Sequence, residues 1–273
     1  MRRTLGRAAL YAALALGAVV SLVPLVWMVS ASFMPAGQAN TYPPALLPLD
    51  PTLEHYRALF TRLDLARTFF NSAFLAAAVT VIALFFNSLA GYAFAKLRFR
   101  GRDRLFRGLL AALVIPVQVA MLPLFLMLKE LNLVNTYWGV IVPGMASIFG
   151  IFLIRQYALS VPDELLDAAR IDGAGEFRIY RSVVLPLCRP ILVTLGIFTF
   201  LAVWNDFMWP LIVLTDNDLY TLPVALANLV GERVQDTELM MAGAVVTVLP
   251  VLVLFLALQR YYIEGVMMGS VKG

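Results

Sequence analysis

The residues with the most to offer chemically lie in one hydrophilic segment set between two strongly apolar stretches. It reads Ser160-Val161-Pro162-Asp163-Glu164-Leu165-Leu166-Asp167-Ala168-Ala169-Arg170-Ile171-Asp172-Gly173 and runs on to Val183-Val184-Leu185-Pro186. These residue types offer recognition, not bond-making. Ser160 can cap a helix, Pro162 suits its first turn, and Asp163 and Glu164 favour the positive end of its dipole. Gly173 can end it in a left-handed conformation. The spacing predicts a helix of roughly three turns, too short to persist alone. Leu165, Ala168, Ala169 and Ile171 or Asp172 leave it a face of small residues that fits closely into a groove. A second segment, 176–184, sets Phe177, Tyr180 and Val184 at helical spacing.

Groups for covalent or acid–base catalysis are missing elsewhere. His55 is the only histidine; it is expected at the surface of an outer loop, out of reach of any Ser or Cys nucleophile. The chain has no G-x-x-x-x-G-K-[ST] phosphate loop, no H-E-x-x-H and no glycine-rich nucleotide fingerprint, so it is not itself an ATPase. Cys188 is the only cysteine, which excludes an intrachain disulfide and a zinc-type cluster. It is expected to act as a small apolar filler.

The elements that hold the hydrophilic segment follow from composition. Charged residues make up 14% of the 273 and hydrophobic ones 61%, a balance that belongs to an integral membrane protein. Six stretches long enough to cross a hydrocarbon core of about 30 Å are expected at about 8–33, 68–95, 108–128, 136–157, 190–214 and 239–260. Outer loops fall at 34–67 and 215–238, and the hydrophilic loop at 158–189. Arg2-Arg3 followed by an apolar run ending in Ser30-Ala31-Ser32 resembles a signal peptide. The run exceeds the 7–15 residues of a signal core, so an uncleaved first span is expected. In the first outer loop, prolines at 35, 43, 44, 48 and 51 predict turns. Thr52 to Phe60 then predicts a short helix with Leu53, Tyr56, Leu59 and Phe60 on one side.

Orientation comes from the basic residues. Arg2, Arg3, Arg7, Lys96, Arg98, Arg100, Arg102, Arg104 and Arg107 fall on one side, with Arg155, Arg170, Arg178, Arg181, Arg189, Arg260 and Lys272. Only Arg57, Arg62, Arg67, Lys129 and Arg233 fall on the other. That split predicts both termini, and the 158–189 loop, in the cytoplasm. The formal net charge of +4 thus reports topology and gives no argument for nucleic-acid binding.

Few polar residues sit at membrane depth. Asp206, in Trp204-Asn205-Asp206-Phe207-Met208-Trp209-Pro210, admits two readings. With Asn205 it lines a solute path, or it caps a break before Pro210 while Trp204 and Trp209 belong to an aromatic belt. Asn87, Ser88 and Gln118 either line the same path or serve as polar glue between helices.

The spacing Asp167-Ala168-Ala169, three residues, Gly173, nine residues, Val183, one residue, Leu185-Pro186 resembles the cytoplasmic EAA loop of ABC-importer permeases. Asp167 stands where Glu is usual and Val183 where Ile is usual; both keep the charge or the apolar contact. Residues 204–213, Thr221-Leu222-Pro223, the proline-rich first loop and the tail Glu264-Gly265 to Val271-Lys272-Gly273 narrow the likeness to the carbohydrate-uptake branch. There the chain is similar to the shorter six-span permease of the maltose-type importer. The resemblance implies an all-α, polytopic type I importer transmembrane domain spanning 1–273, in a bacterial inner membrane. It assigns Glu164, Asp167, Ala168, Ala169, Asp172, Gly173 and Pro186 to the loop that couples to the ATPase, and the 216–238 loop to the face met by the binding protein.

The same resemblance implies partners: a second permease forming a heterodimer, two cytoplasmic ABC ATPases that hold the ATP and magnesium, and an extracytoplasmic solute-binding protein. The lipid bilayer surrounds the chain, and most direct sugar contacts belong to the longer permease. Alternative readings are an importer of a polyol or glycerophosphate, or an ion-coupled secondary transporter. The latter normally carries ionisable relays in several spans and inverted half-repeats.

Overall fold

The computed structural model describes residues 2–232 and 236–268, with side chains described at Gly6, Arg7, 10–228 and 236–259. Arg233, Lys272 and the tail from residue 269 therefore lie outside the described residues, as do the side chains of Arg2, Arg3 and Arg260. Every regular element among the described residues is helical. In chain order they are α1 (Arg2–Ala31), α2 (Glu54–Arg62), α3 (Leu65–Lys96), α4 (Arg102–Ala112), α5 (Val117–Glu130), α6 (Tyr137–Gly144) and α7 (Ile148–Leu159). They continue with α8 (Asp163–Ile171), α9 (Glu176–Ile179), α10 (Leu185–Leu187), α11 (Arg189–Trp204), α12 (Met208–Val213), α13 (Leu222–Glu232) and α14 (Thr237–Met268).

Four stretches are long and apolar enough to cross a membrane: Leu10–Ala31, Leu65–Lys96, Tyr137–Leu159 and Thr237–Gln259. The other two expected spans are not straight. Where 108–128 predicted one helix, α4 and α5 meet at 104°. Pro116 lacks an N–H and biases Ile115 away from helical geometry, so the helix breaks there. The expected 190–214 span is likewise interrupted: α11 stops at Trp204 and α12 starts at Met208. On its other side, the Glu176–Leu187 run meets α11 at 80°. Six spans result only when each bent pair counts as one.

The chain's contacts group into two compact units. One comprises Met1–Ala66 and Ala225–Leu252. Its small core holds Ala31, Met34 and Ala39 against Trp27, Ala45 and Met241. Glu238 is buried here and accepts the Ala39 N–H at 2.7 Å, while Thr237 Oγ1 donates to Asn40 Oδ1 at 2.8 Å. His55, expected at the surface, is only 5% exposed: its Nε2 lies 2.9 Å from the Met34 carbonyl and its Nδ1 3.7 Å from Asp236. The packing face of α2 is thus His55 and Leu59, with Leu53 and Phe60 left exposed. An imidazole with a polar partner for each nitrogen can be buried at little cost.

The other unit comprises Arg67–Val224 and Val253–Gly273. Its 32-residue α3 is about 48 Å long. Toward the start of α3, Leu75 and Val79 pack with Leu128, Val140, Ile141, Trp209 and Val213. The Trp209 indole N–H donates to the Gly139 carbonyl at 3.0 Å. Asn71, also buried, donates to the carbonyls of Asp218 and Tyr220 and accepts from the Tyr137 hydroxyl at 2.7 Å. Near the far end, Gly91 lets α3 approach α7 closely. A Cβ there would lie 2.7 Å from Ile154 Cβ and 3.1 Å from the Arg155 backbone nitrogen.

Candidate functional site

The hydrophilic segment singled out by its residues folds as α8, nine residues long. Ser160 does not cap it. Its hydroxyl donates to the Tyr157 carbonyl at 2.7 Å and closes α7 instead, because the two helices lie too near one another for Ser160 to serve both. Pro162 takes the N-cap position, and Asp163 and Glu164 fill the acidic first turn. At the far end the Ala174 N–H bonds the Ala169 carbonyl at 2.9 Å and the Gly173 N–H bonds that of Arg170 at 3.0 Å. This is a Schellman stop, and Gly173 sits at φ +79° as such a stop requires.

An apolar base fixes α8. Leu166 is buried in a cluster with Tyr92 and Ala95 of α3, Ile154 and Ala158 of α7, Ile179, Tyr180 and Val184, and Ile191 and Leu195 of α11. Of the three residues at helical spacing in this segment, Tyr180 and Val184 are buried, while Phe177 is 63% exposed and Ile179 is buried instead. Between α9 and α10 the helix widens to a π turn over Tyr180–Val184, with the Leu185 N–H reaching back to the Tyr180 carbonyl. The wider turn accommodates Pro186, which has no N–H and whose ring crowds the carbonyl four residues earlier. Cys188, fully buried in the same cluster, marks the elbow into α11.

A polar frame runs beside this base. Ser88, Tyr92 and Lys96 stand four residues apart on one face of α3, and each bonds a different part of the loop. Ser88 Oγ meets the Tyr180 hydroxyl at 2.7 Å, and the Tyr92 hydroxyl donates to Glu176 Oε2 at 2.5 Å. Lys96 Nζ donates to the Val161 carbonyl and to Asp163 Oδ1, both at 2.6 Å. The Lys96 side chain is only 5% exposed, so its ammonium depends on these two acceptors. Arg170 closes the frame, donating from Nε to Glu176 at 3.0 Å and from Nη1 to Asp167 at 2.8 Å. Lys96 holds the Asp163 carboxyl below its ordinary value of 3.8. Arg170 first, and then the Tyr92 hydroxyl, hold the Glu176 carboxyl below 4.5.

What remains outward is an apolar patch with an acidic rim. Leu165, Ala168 and Ile171 are exposed at three-residue spacing, Ile171 at 87%, and Phe177 in the following helix is exposed as well. Glu164, Asp167, Asp172, Gly173 and Pro186 are exposed as well, while Ala169 is half-buried against the base. The chemistry of the patch is that of a docking ridge held rigidly from behind.

Of the residues expected at membrane depth, Asn87 and Asp206 make hydrogen bonds between or at the ends of helices. Asn87 is fully buried; its Oδ1 accepts the Ser147 N–H at 2.9 Å and its amide lies 3.4 Å from Ser147 Oγ, tying α3 to the start of α7. Gln118 is exposed in the first turn of α5. Asn205 is exposed and donates to the Leu201 carbonyl at 2.8 Å. Asp206 Oδ1 accepts the Trp209 N–H at 3.3 Å, a bond that starts α12 across the break. Only Asn205 and Asp206 are brought together; among the described residues no hydrogen bond joins them to Asn87 or Gln118. The frame formed by Ser88, Tyr92 and Lys96 escaped sequence reasoning as a unit, although polar residues four apart along an apolar helix were its visible signal.

Residues 87–267 match the model of a family described as binding-protein-dependent transport system inner membrane component. The chain is 41% identical to the arabinooligosaccharides transport system permease protein of Halalkalibacterium halodurans, over 94% of this chain and 93% of that protein. It is 33% identical to the lactose transport system permease protein of Rhizobium radiobacter, over 100% of this chain and 98% of that protein. In fold it matches a chain from the crystal structure of a bacterial ABC transporter involved in the import of the acidic polysaccharide alginate. The TM-score is 0.83 at 24% identity, over 95% of this chain and 97% of that chain. This protein belongs to the family of inner-membrane permease components of binding-protein-dependent ABC importers.

Proposed function

We propose that the whole chain forms one transmembrane domain of an importer for a sugar or oligosaccharide, with α8 as the helix that docks into a separate ATPase. The carbohydrate assignment draws on relatives whose names specify arabinooligosaccharides and lactose. The docking assignment rests on one observation: α8 turns Leu165, Ala168 and Ile171 outward while Leu166 and the Lys96–Asp163 bond fix its back to α3. A force applied to the ridge passes to α3, α7 and α11 through packed atoms, because a close-packed core yields little. Glu164, Asp167, Asp172 and Gly173 rim the ridge, Ala169 seats it, and Pro186 shapes the turn behind it.

In this reading a second permease completes a heterodimer, two ATPases hold the ATP and magnesium, and an extracytoplasmic binding protein delivers the solute at the 216–238 side. Both termini and α8 face the cytoplasm. Ala168→Asp tests the docking assignment, since this exposed residue can carry a carboxylate without disturbing the chain's own core. The assembled transporter in liposomes should retain its abundance while ATP hydrolysis stimulated by loaded binding protein, and sugar uptake, fall at least tenfold. That corresponds to a loss of about 1.4 kcal/mol or more of docking free energy, a modest demand for a charge buried without a partner. Wild-type stimulation in this variant would remove α8 from the ATPase groove.

A further inference from the structure

Beside the start of α4 lies a cavity of about 630 Å³ whose wall carries Arg98, Arg102, Arg104 and Arg107 against a single acid, Asp103. That acid is already engaged. Arg102 Nε donates to Asp103 Oδ1 at 3.1 Å, and Arg107 Nε donates to the Asp103 carbonyl at 3.2 Å. Arg102 is also steadied by the Leu97 carbonyl at 3.2 Å. Arg104 forms no hydrogen bond or ion pair among the described residues, and Arg98 acts only at longer range, on Asp163. Four guanidinium groups therefore converge on one hollow with about one negative charge to balance them. The first turn of α4 adds to the excess, because Gly101 at its N-cap provides no side-chain acceptor.

One side of the wall is apolar. Phe99 lines the cavity and is exposed, and Leu113, Val114 and Ile115 are exposed where α4 gives way to α5. The position along the membrane normal follows from α3. Its charge-free run from Thr68 to Ala95 covers the hydrocarbon core of about 30 Å and ends at Lys96, so the cavity just beyond Lys96 lies at headgroup depth. Guanidinium forks facing a hollow at that depth, with an exposed aromatic side chain in its wall, match a phosphodiester that carries acyl chains. A free anion would make no use of the apolar flank.

We propose that this cavity binds the headgroup of an anionic phospholipid, its phosphate held by Arg98 and Arg104 and an acyl chain lying against Phe99. Arg98, Phe99 and Arg102 also line the adjoining cavity beneath α8, whose wall includes Lys96, Asp163 and Glu176. A bound lipid thereby shares a wall with the frame that holds the docking ridge.

The test is native mass spectrometry of the complete transporter, purified in neutral detergent and exchanged against phosphatidylglycerol and phosphatidylcholine of matched chains. Phosphatidylglycerol should be retained preferentially. Arg98→Gln and Arg104→Gln should each cut its retention about tenfold, the cost of a lost charge-assisted fork. Arg100→Gln removes the same charge from a neighbouring residue outside the cavity and should leave retention unchanged. Arg98→Lys and Arg104→Lys preserve the charge that directs insertion, and should still lower retention because an ammonium offers no planar fork. Equal retention of the two lipids, or equal loss in all the glutamine variants, would overturn the proposal in favour of diffuse charge attraction. Displacement by inorganic phosphate would mark a free-anion site. Retention only after the ATPase is stripped away would mark the seat of an acidic segment of that subunit. Either of those results also overturns it.

Discussion

Asp206 is a carboxylate in a strongly apolar neighbourhood, bonded by the backbone N–H groups of Trp209 and Met208 where α12 begins. By accepting the Trp209 N–H it starts α12 after the break at Asn205. Asp206→Asn keeps a side-chain acceptor and should leave assembly and uptake close to wild type. Asp206→Leu should lower the thermal stability of the detergent-solubilised complex by about 1 kcal/mol, the usual worth of such a cap. If Asp206→Leu instead abolished uptake at unchanged stability, a role in the solute path would be required. Titration offers a second residue-scale check. Asp163 and Glu176 both have folded values below their ordinary ones. Their contribution is therefore fully present above the ordinary carboxylate range and disappears as pH falls through the depressed values. Hydrogen exchange across 163–180 should be insensitive to pH from about 6 upward, after correction for intrinsic rates. It should accelerate only below about pH 4.

At the scale of helices, local signals were legible and pairings were not. The Schellman stop at Gly173 and the acidic start at Asp163 and Glu164 are local, so residue types alone predict them. Ser160 misled because it lies where two helix ends compete, and a cap is awarded by three-dimensional proximity. His55 misled for the same reason: its burial depends on Met34 and Asp236, the latter 181 positions away in the chain. The bend at Pro116 was open to inspection, yet hydropathy averages across a proline and reports one continuous stretch. The close approach at Gly91 makes a further prediction about these elements. Gly91→Val would drive side-chain atoms into Ile154 and the backbone of α7, and should destabilise the complex by about 1–3 kcal/mol. Thermal unfolding monitored alongside Gly175→Ala, where the surroundings are open, separates packing from backbone effects.

Across the whole molecule the apolar segments were readable from composition, because the bilayer constrains length and charge more tightly than any neighbouring side chain does. The helix α8 and its glycine stop were readable from residue spacing, while the frame behind α8 was not, since its partners come from α3. Orientation is predicted by the split of basic residues and can be measured directly. Single cysteines at Gly175 and Asn217 are both exposed positions, and native Cys188 is buried and silent. An impermeant maleimide added to intact spheroplasts should label Asn217→Cys and spare Gly175→Cys. Reversal of that pattern would move α8 to the outer face and end its role in docking.

The stripe of Ser88, Tyr92 and Lys96 also imposes an order of events during biosynthesis. Their partners Asp163, Glu176 and Tyr180 are made 67, 84 and 92 residues later. At roughly 5–20 residues per second, α3 leaves the ribosome some 3–20 s before those partners exist. During that interval the Ser88 hydroxyl has only the Phe85 carbonyl of its own helix, and the Tyr92 phenol and Lys96 ammonium stand along the same side without their later partners. Water, lipid headgroups or the insertion machinery must hold them in the meantime. Ribosome-bound chains truncated near residue 150 should therefore cross-link from position 92 to the insertase, and chains extended past residue 220 should not. The segment from Asp163 to Tyr180 is, in the nascent chain, what releases α3 from its escort.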